Sequence, residues 1–283
     1  MSRYKLDTKL GTVAVGIFAL YFAAMAGDLL CAEPLAQTDG LRTLESRHLT
    51  LITDLPASAE VDQLPELFDQ AISQWARYFR VPPKEFANWK VRGYLMQHDE
   101  RFRAAGLLPD DLPPFLHGYQ RGDSFWLREQ PSDYYRRHLL LHEGTHAFMY
   151  AALQGSGSAW YCEGIAEYLA THRWHQGRLE LARFPESRNE VPHWGRIKII
   201  RDAIAAGRRL SFADVFRIDG ADFRHVDAYA WSWAAIVFLQ SDPRFSKRFS
   251  SMQGEVELEG EPFTAAFWSQ MKVDPQRLDD AWQ

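Results

Sequence analysis

His142 and His146 stand four residues apart in a stretch where Leu139, Leu140, Leu141, Phe148 and Met149 make most neighbours apolar. On an α-helix, positions four apart share one face, one turn apart. Both imidazoles then point at one spot, with Glu143 beside them. Sixteen residues separate His146 from Glu163, which lies in Trp160-Tyr161-Cys162-Glu163-Gly164-Ile165-Ala166-Glu167-Tyr168. Ile165, Ala166 and Leu169 make that second segment largely apolar too. Between the segments, Gln154-Gly155-Ser156-Gly157-Ser158 is built of residues that turn a chain. The pattern predicts two buried helices running back past each other, with Glu163 carried to the two histidines.

Two neutral imidazoles and a carboxylate are a donor set suited to zinc, which in hydrolases keeps a fourth position for water. His142, His146 and Glu163 are therefore the candidate ligands and Zn²⁺ the expected cofactor. Glu143 is not needed as a ligand and can move protons for a hydrolysis. His142-Glu143-Gly144-Thr145-His146 matches the His-Glu-x-x-His pattern of zinc peptidases. The plainer reading is a buried helix with two satisfied histidines; Glu163 at a fitting distance argues against it. Glu167, one turn beyond Glu163, is placed to accept the free ring N–H of a ligand histidine. His138, one turn before His142, is read as a neighbour of the ligands. Cys162 reads as a small buried hydrophobe, with a thiol close to the metal as the alternative.

Together, His-Glu-Gly-Thr-His and Trp-x-x-Glu-Gly-x-Ala-Glu-Tyr resemble the gluzincin metallopeptidases. The similarity is nearest to their peptidase MA-like domains and more distant to aminopeptidase N relatives. It is strong over residues 138–172 and extends weakly to Tyr229. It implies an α+β, thermolysin-like catalytic domain, with a small mixed sheet and N-terminal helices followed by a mainly helical C-terminal half. It also implies His142, His146 and Glu163 as zinc ligands and Glu143 as general base. The spacing from His146 to Glu163 is shorter than the aminopeptidases usually have. Their Gly-x-Met-Glu-Asn segment is absent from Gly118-Tyr119-Gln120-Arg121-Gly122-Asp123-Ser124-Phe125-Trp126, so an endopeptidase is favoured over an aminopeptidase. Asp227-Ala228-Tyr229-Ala230-Trp231 resembles the segment that carries the family's catalytic tyrosine. Tyr229 is therefore the candidate oxyanion donor, with a core tyrosine or a donor at His225 as alternatives.

The chain has 283 residues, 46% hydrophobic, with a net charge of −5. That balance gives no reason to expect nucleic acid as a partner; the resemblance implies a peptide or protein substrate. Arg3, Lys5 and Lys9 precede an uncharged run from Gly11 to Gly27, the pattern of an export signal. Residues 1–32 are thus read as a signal peptide or an uncleaved membrane anchor, 33–46 as a linker and 47–283 as the catalytic domain. Membrane contact is expected only if the segment stays uncleaved. The protein is expected outside the cytoplasm, in a periplasm or beyond the cell.

Along the domain, strands are expected at 49–53 and 89–96, helices at 61–80 and 101–108, and a hairpin around 121–123. Phe125-Trp126 is read as the sheet edge that pairs with substrate backbone. The motif helix should start at Pro131-Ser132-Asp133 and close at Gly155. His172 and His175 read as exposed on a helix end, with a second metal as the alternative. Later helices are expected at 197–206, 212–216, 228–239, 263–271 and 275–282. A second functional reading is a catalytically inactive cell-envelope binding domain that retains this fold. Glu143, unnecessary for a structural metal, weighs against it.

Overall fold

The computed structural model describes residues 40–184, 191 and 195–283. The basic start, the uncharged run and residues 33–39 lie outside the described residues. Five short strands come first: β1 (Arg42–Glu45), β2 (Leu49–Thr53), β3 (Val91–Met96), β4 (Gly118–Arg121) and β5 (Ser124–Arg128). They form one mixed sheet in the order β1-β2-β3-β5-β4. The inner strands β2, β3 and β5 run parallel, and both outer strands are antiparallel to their neighbours. Parallel strands are covered on both faces, so these three are mostly apolar and buried, with Arg92 the exposed exception. Leu49, Leu51, Val91, Leu95, Phe125 and Leu127 face the main core, while Ile52, Tyr94, Met96 and Trp126 face a smaller one with Phe102 and Leu108.

Two corrections to the sequence reading fall here. The range read as a linker ends in β1, whose residues alternate between half-buried and exposed. An edge strand with one wet face carries the polar composition of a linker; its pairing with β2 distinguishes it. Phe125 and Trp126 lie on β5, inside the sheet, and the edge strand beside it is β4.

The helices α1 (Ala59–Asp62) and α2 (Leu64–Phe79) divide at Gln63 what was read as one helix, and α3 (Asp99–Ala104) follows β3. Helix α2 lays a buried stripe that includes Leu67, Phe68, Ala71, Trp75 and Phe79 on the main core. Helix α4 (Asp133–Leu153) starts where Ser132 accepts a hydrogen bond from the Tyr135 amide and stops at Gln154, which takes the left-handed conformation at φ 53°. Gly155, expected to close the helix, serves a different need: a Cβ there would lie 2.3 Å from the Val256 carbonyl oxygen. Helix α5 (Ala159–Ala170) returns alongside α4.

A hairpin of β6 (His172–His175) and β7 (Arg178–Leu181) follows, tied to α2 by Gln70 and Gln74, which hydrogen-bond Gly177, Leu179 and Leu181. The remainder of the described chain is helical: α6 (Gly195–Ala205), α7 (Phe212–Phe216), α8 (Val226–Ser241), α9 (Ser246–Phe249), α10 (Gly260–Met271) and α11 (Pro275–Trp282). The architecture is α+β, a small mixed sheet followed by a mainly helical half. Among the described residues no helix is long and apolar enough to cross a membrane.

Candidate metal centre

Glycine lets α4 pack closely on α2 and α5 on α8. A Cβ on Gly144 would come within 2.6 Å of the Phe68 ring and 2.7 Å of the Trp75 ring, so only glycine lets α4 sit this near α2. A Cβ on Gly164 would meet the Ser232 carbonyl oxygen and Ile236 at 2.7 Å, which fixes α5 against α8 in the same way. With the two helices wedged between α2 and α8, their polar side chains meet in a buried strip.

Within that strip three atoms converge. His142 Nε2 lies 3.1 Å from His146 Nε2 and 3.2 Å from Glu163 Oε2, and His146 Nε2 lies 3.4 Å from the same oxygen. Glu163 Oε2 is buried without a hydrogen-bond partner. An orphaned carboxylate oxygen in a protein interior calls for an explanation. A tetrahedral ion with ligands at about 2.0–2.1 Å has ligand atoms about 3.3 Å apart. The triangle therefore has the size of one facet of such a site, and the residues present fit a metal ion. His142, His146 and Glu163 form one group able to hold it, and His138, His142 and Glu167 form another.

The second group is already committed elsewhere. Glu167, 2% exposed, accepts two hydrogen bonds from Arg196 at 2.8 and 2.5 Å and lies 3.1 Å from His138 Nε2. Its other neighbour is His142 Nδ1, at 3.4 Å from Oε1. A carboxylate there favours a proton on Nδ1 and leaves Nε2 free for the triangle. His146 is oriented differently: its Nδ1 lies 3.4 Å from the Cys162 sulfur.

The three glutamates differ in charge preference. Burial pushes each carboxyl up. In Glu167 the Arg196 guanidinium and His138 reverse this and hold it well below its ordinary range. In Glu163 the His146 and His142 rings do the same. In Glu143 burial wins: the same two rings pull it down, but not enough to offset burial and the neighbouring carboxylates, and it stays raised. Burial opposes a charge on His142, yet Glu163 and Glu167 outweigh it and lift the ring to about 9. Buried carboxylates thus draw positive charge to this spot, as a cation site would.

A cleft of about 930 Å³ opens onto the strip, and Gly118, Tyr135, Glu143, Glu163, Arg196 and Tyr229 are among its lining residues. Glu143 sits against β4: a Cβ on Gly118 would fall 2.4 Å from Glu143 Oε1. Tyr229, in the first turn of α8, places its ring 6.0 Å from that of His142, with the Arg196 guanidinium 5.3 Å from its centre. Burial first, then the neighbouring Glu163, Glu143 and Glu167, push its hydroxyl above the ordinary tyrosine range. Exposed His225, the alternative donor, lines the same cleft.

The structure brings together all six residues singled out from the sequence: Glu143, Tyr229, His142, His146, Glu163 and Glu167. Arg196 was missed. Its one signal is position, since a cation in the first turn of a helix faces the unfavourable end of the dipole and must be held by a partner. His172 and His175 are corrected: they lie on β6, where His172 is buried and His175 exposed. His172 stacks on Tyr134 at 4.6 Å, and its two ring nitrogens lie against the Ala170 carbonyl and the Arg137 guanidinium. Among the described residues neither histidine belongs to a group able to hold a metal.

No protein-family model matches the chain, and no curated protein matches it.

Proposed function

We propose that this chain is an exported zinc-dependent peptidase of the gluzincin type that cuts within peptide chains. The observation that carries the reading is the triangle of His142 Nε2, His146 Nε2 and Glu163 Oε2 beside the cleft, with Glu143 next to it and outside it. A purely structural metal has no use for Glu143. Export rests on Arg3, Lys5 and Lys9 ahead of the uncharged run to Gly27.

His142, His146 and Glu163 would hold the zinc. When bound, zinc supplies the Lewis acidity that activates water and polarises a carbonyl. Glu143 takes a proton from the attacking water and gives it to the departing amine; its burial raises its proton affinity toward the range such shuttling needs. Glu167 fixes the His142 ring, and Arg196 keeps Glu167 ionised. Tyr229 donates its hydroxyl to the oxyanion as it forms. The edge strand β4, with no side chain at Gly118 to obstruct Glu143, lies where an extended peptide backbone can pair.

The test is metal analysis paired with activity. Purified protein should carry about one zinc per chain and cleave members of a mixed peptide library, with the activity lost to a chelator. Glu143→Gln should keep the zinc and lose about a hundredfold or more in rate. Zinc without any chelator-sensitive cleavage would favour the inactive binding domain; an undiminished Glu143→Gln enzyme would refute the mechanism.

A further inference from the structure

The two histidines of the triangle are backed by different chemistry. His142 Nδ1 faces a carboxylate, whereas His146 Nδ1 faces the Cys162 sulfur at 3.4 Å. A histidine that binds through Nε2 carries its proton on Nδ1, and the acceptor of that proton sets the ring's orientation and donor strength. Cys162 directly precedes Glu163, so the turn of α5 that delivers the ligand carboxylate also delivers this sulfur. It is partly exposed, and it does not line the main cleft. It lines a second cavity of about 550 Å³ together with Gln120, His146, Met149 and Tyr150.

Resting on the metal reading above, we propose that Cys162 is the positioning residue for His146, accepting its Nδ1 proton, and that the second cavity gives thiol reagents a route to the metal centre separate from the substrate cleft. A thiol is a weaker acceptor than a carboxylate. His146 is therefore the more weakly supported ligand. A group attached to the sulfur leaves only a weak thioether acceptor and crowds the ring, loosening the metal without entering the cleft.

Zinc affinity, measured by competition with a chromophoric chelator, tests this apart from turnover, and the absorption of the cobalt-substituted protein reports the ligand geometry. Cys162→Ser keeps an acceptor and should bind zinc within a few-fold of wild type. Cys162→Ala and Cys162→Val should each bind about tenfold or more weakly, with a shifted cobalt spectrum. Because valine fills the space without accepting a proton, a Cys162→Val protein as tight as Cys162→Ser would reduce Cys162 to packing and overturn the proposal. In a Cys31→Ser chain, N-ethylmaleimide, whose C=C bond takes the sulfur on one carbon and the thiol's proton on the other, should release zinc, and adding Cys162→Ser should abolish the effect. Full zinc retention after complete alkylation would also overturn it. A wild-type chain that binds no zinc would instead bring down the metal centre itself.

Discussion

Glu143 and Glu163 face the same pair of histidines from two helices, and their surroundings push their proton affinities in opposite directions. The difference comes from what each oxygen touches. Glu163 shares its oxygen with both imidazoles, which suits a ligand, while Glu143 lies against the bare backbone of Gly118, which suits a group that must gain and lose a proton. Tyr229 is the other residue with a separable role. Tyr229→Phe should keep zinc and leave KM nearly unchanged while lowering kcat roughly a hundredfold, because an oxyanion donor acts only in the transition state. Steady-state kinetics on a cleaved peptide decide this, and an unchanged kcat would make Tyr229 a wall of the cleft. The cluster of His142, His146, Glu163 and Glu143 was legible in the sequence because its spacing is local. Arg196 was not, since nothing near it marks a link to Glu167, 29 residues earlier.

At the scale of elements, the glycines of the two motifs belong to packing. Gly144→Ala would drive a methyl into the Phe68 and Trp75 rings, both fully buried, and should destabilise the fold by about 1–3 kcal/mol. Zinc affinity should fall with it, since α4 cannot move without moving two of the proposed ligands. Denaturant midpoints with and without zinc measure both effects; an unchanged midpoint would show slack between α2 and α4 that the geometry does not have. Helices with a strong apolar stripe or clear end signals, such as α2 and α4, were readable within a few residues. Strand β1 was not, because a four-residue edge strand has too little length for its alternation to stand out. Strand β6 was hidden for another reason: Arg173 sits between His172 and Trp174, and the segment continues without a break from the apolar face of α5.

For the whole molecule, His172 is one source of acid sensitivity. Burial holds its ring down to about 3, against an ordinary 6.5, so the folded protein keeps it neutral while the unfolded chain protonates it. Its contribution is intact above pH 6.5 and is lost as the pH falls toward 3. The slope approaches 1.4 kcal/mol per pH unit, or about 2 kcal/mol lost by pH 5. Urea midpoints at pH 7, 6 and 5 should fall more steeply for wild type than for His172→Gln, and parallel curves would remove His172 from the account. The antiparallel pair α4–α5 has a further consequence, in the order of assembly. His142, His146 and Glu163 lie within 22 residues of chain joined by a short turn, whereas Gly118 and Tyr229 come from far outside that span. Contacts of short sequence separation close with little loss of chain entropy. The three proposed ligands can therefore meet while the cleft walls are still apart, and capture of a metal there would not have to wait for the tertiary structure that would make the site useful.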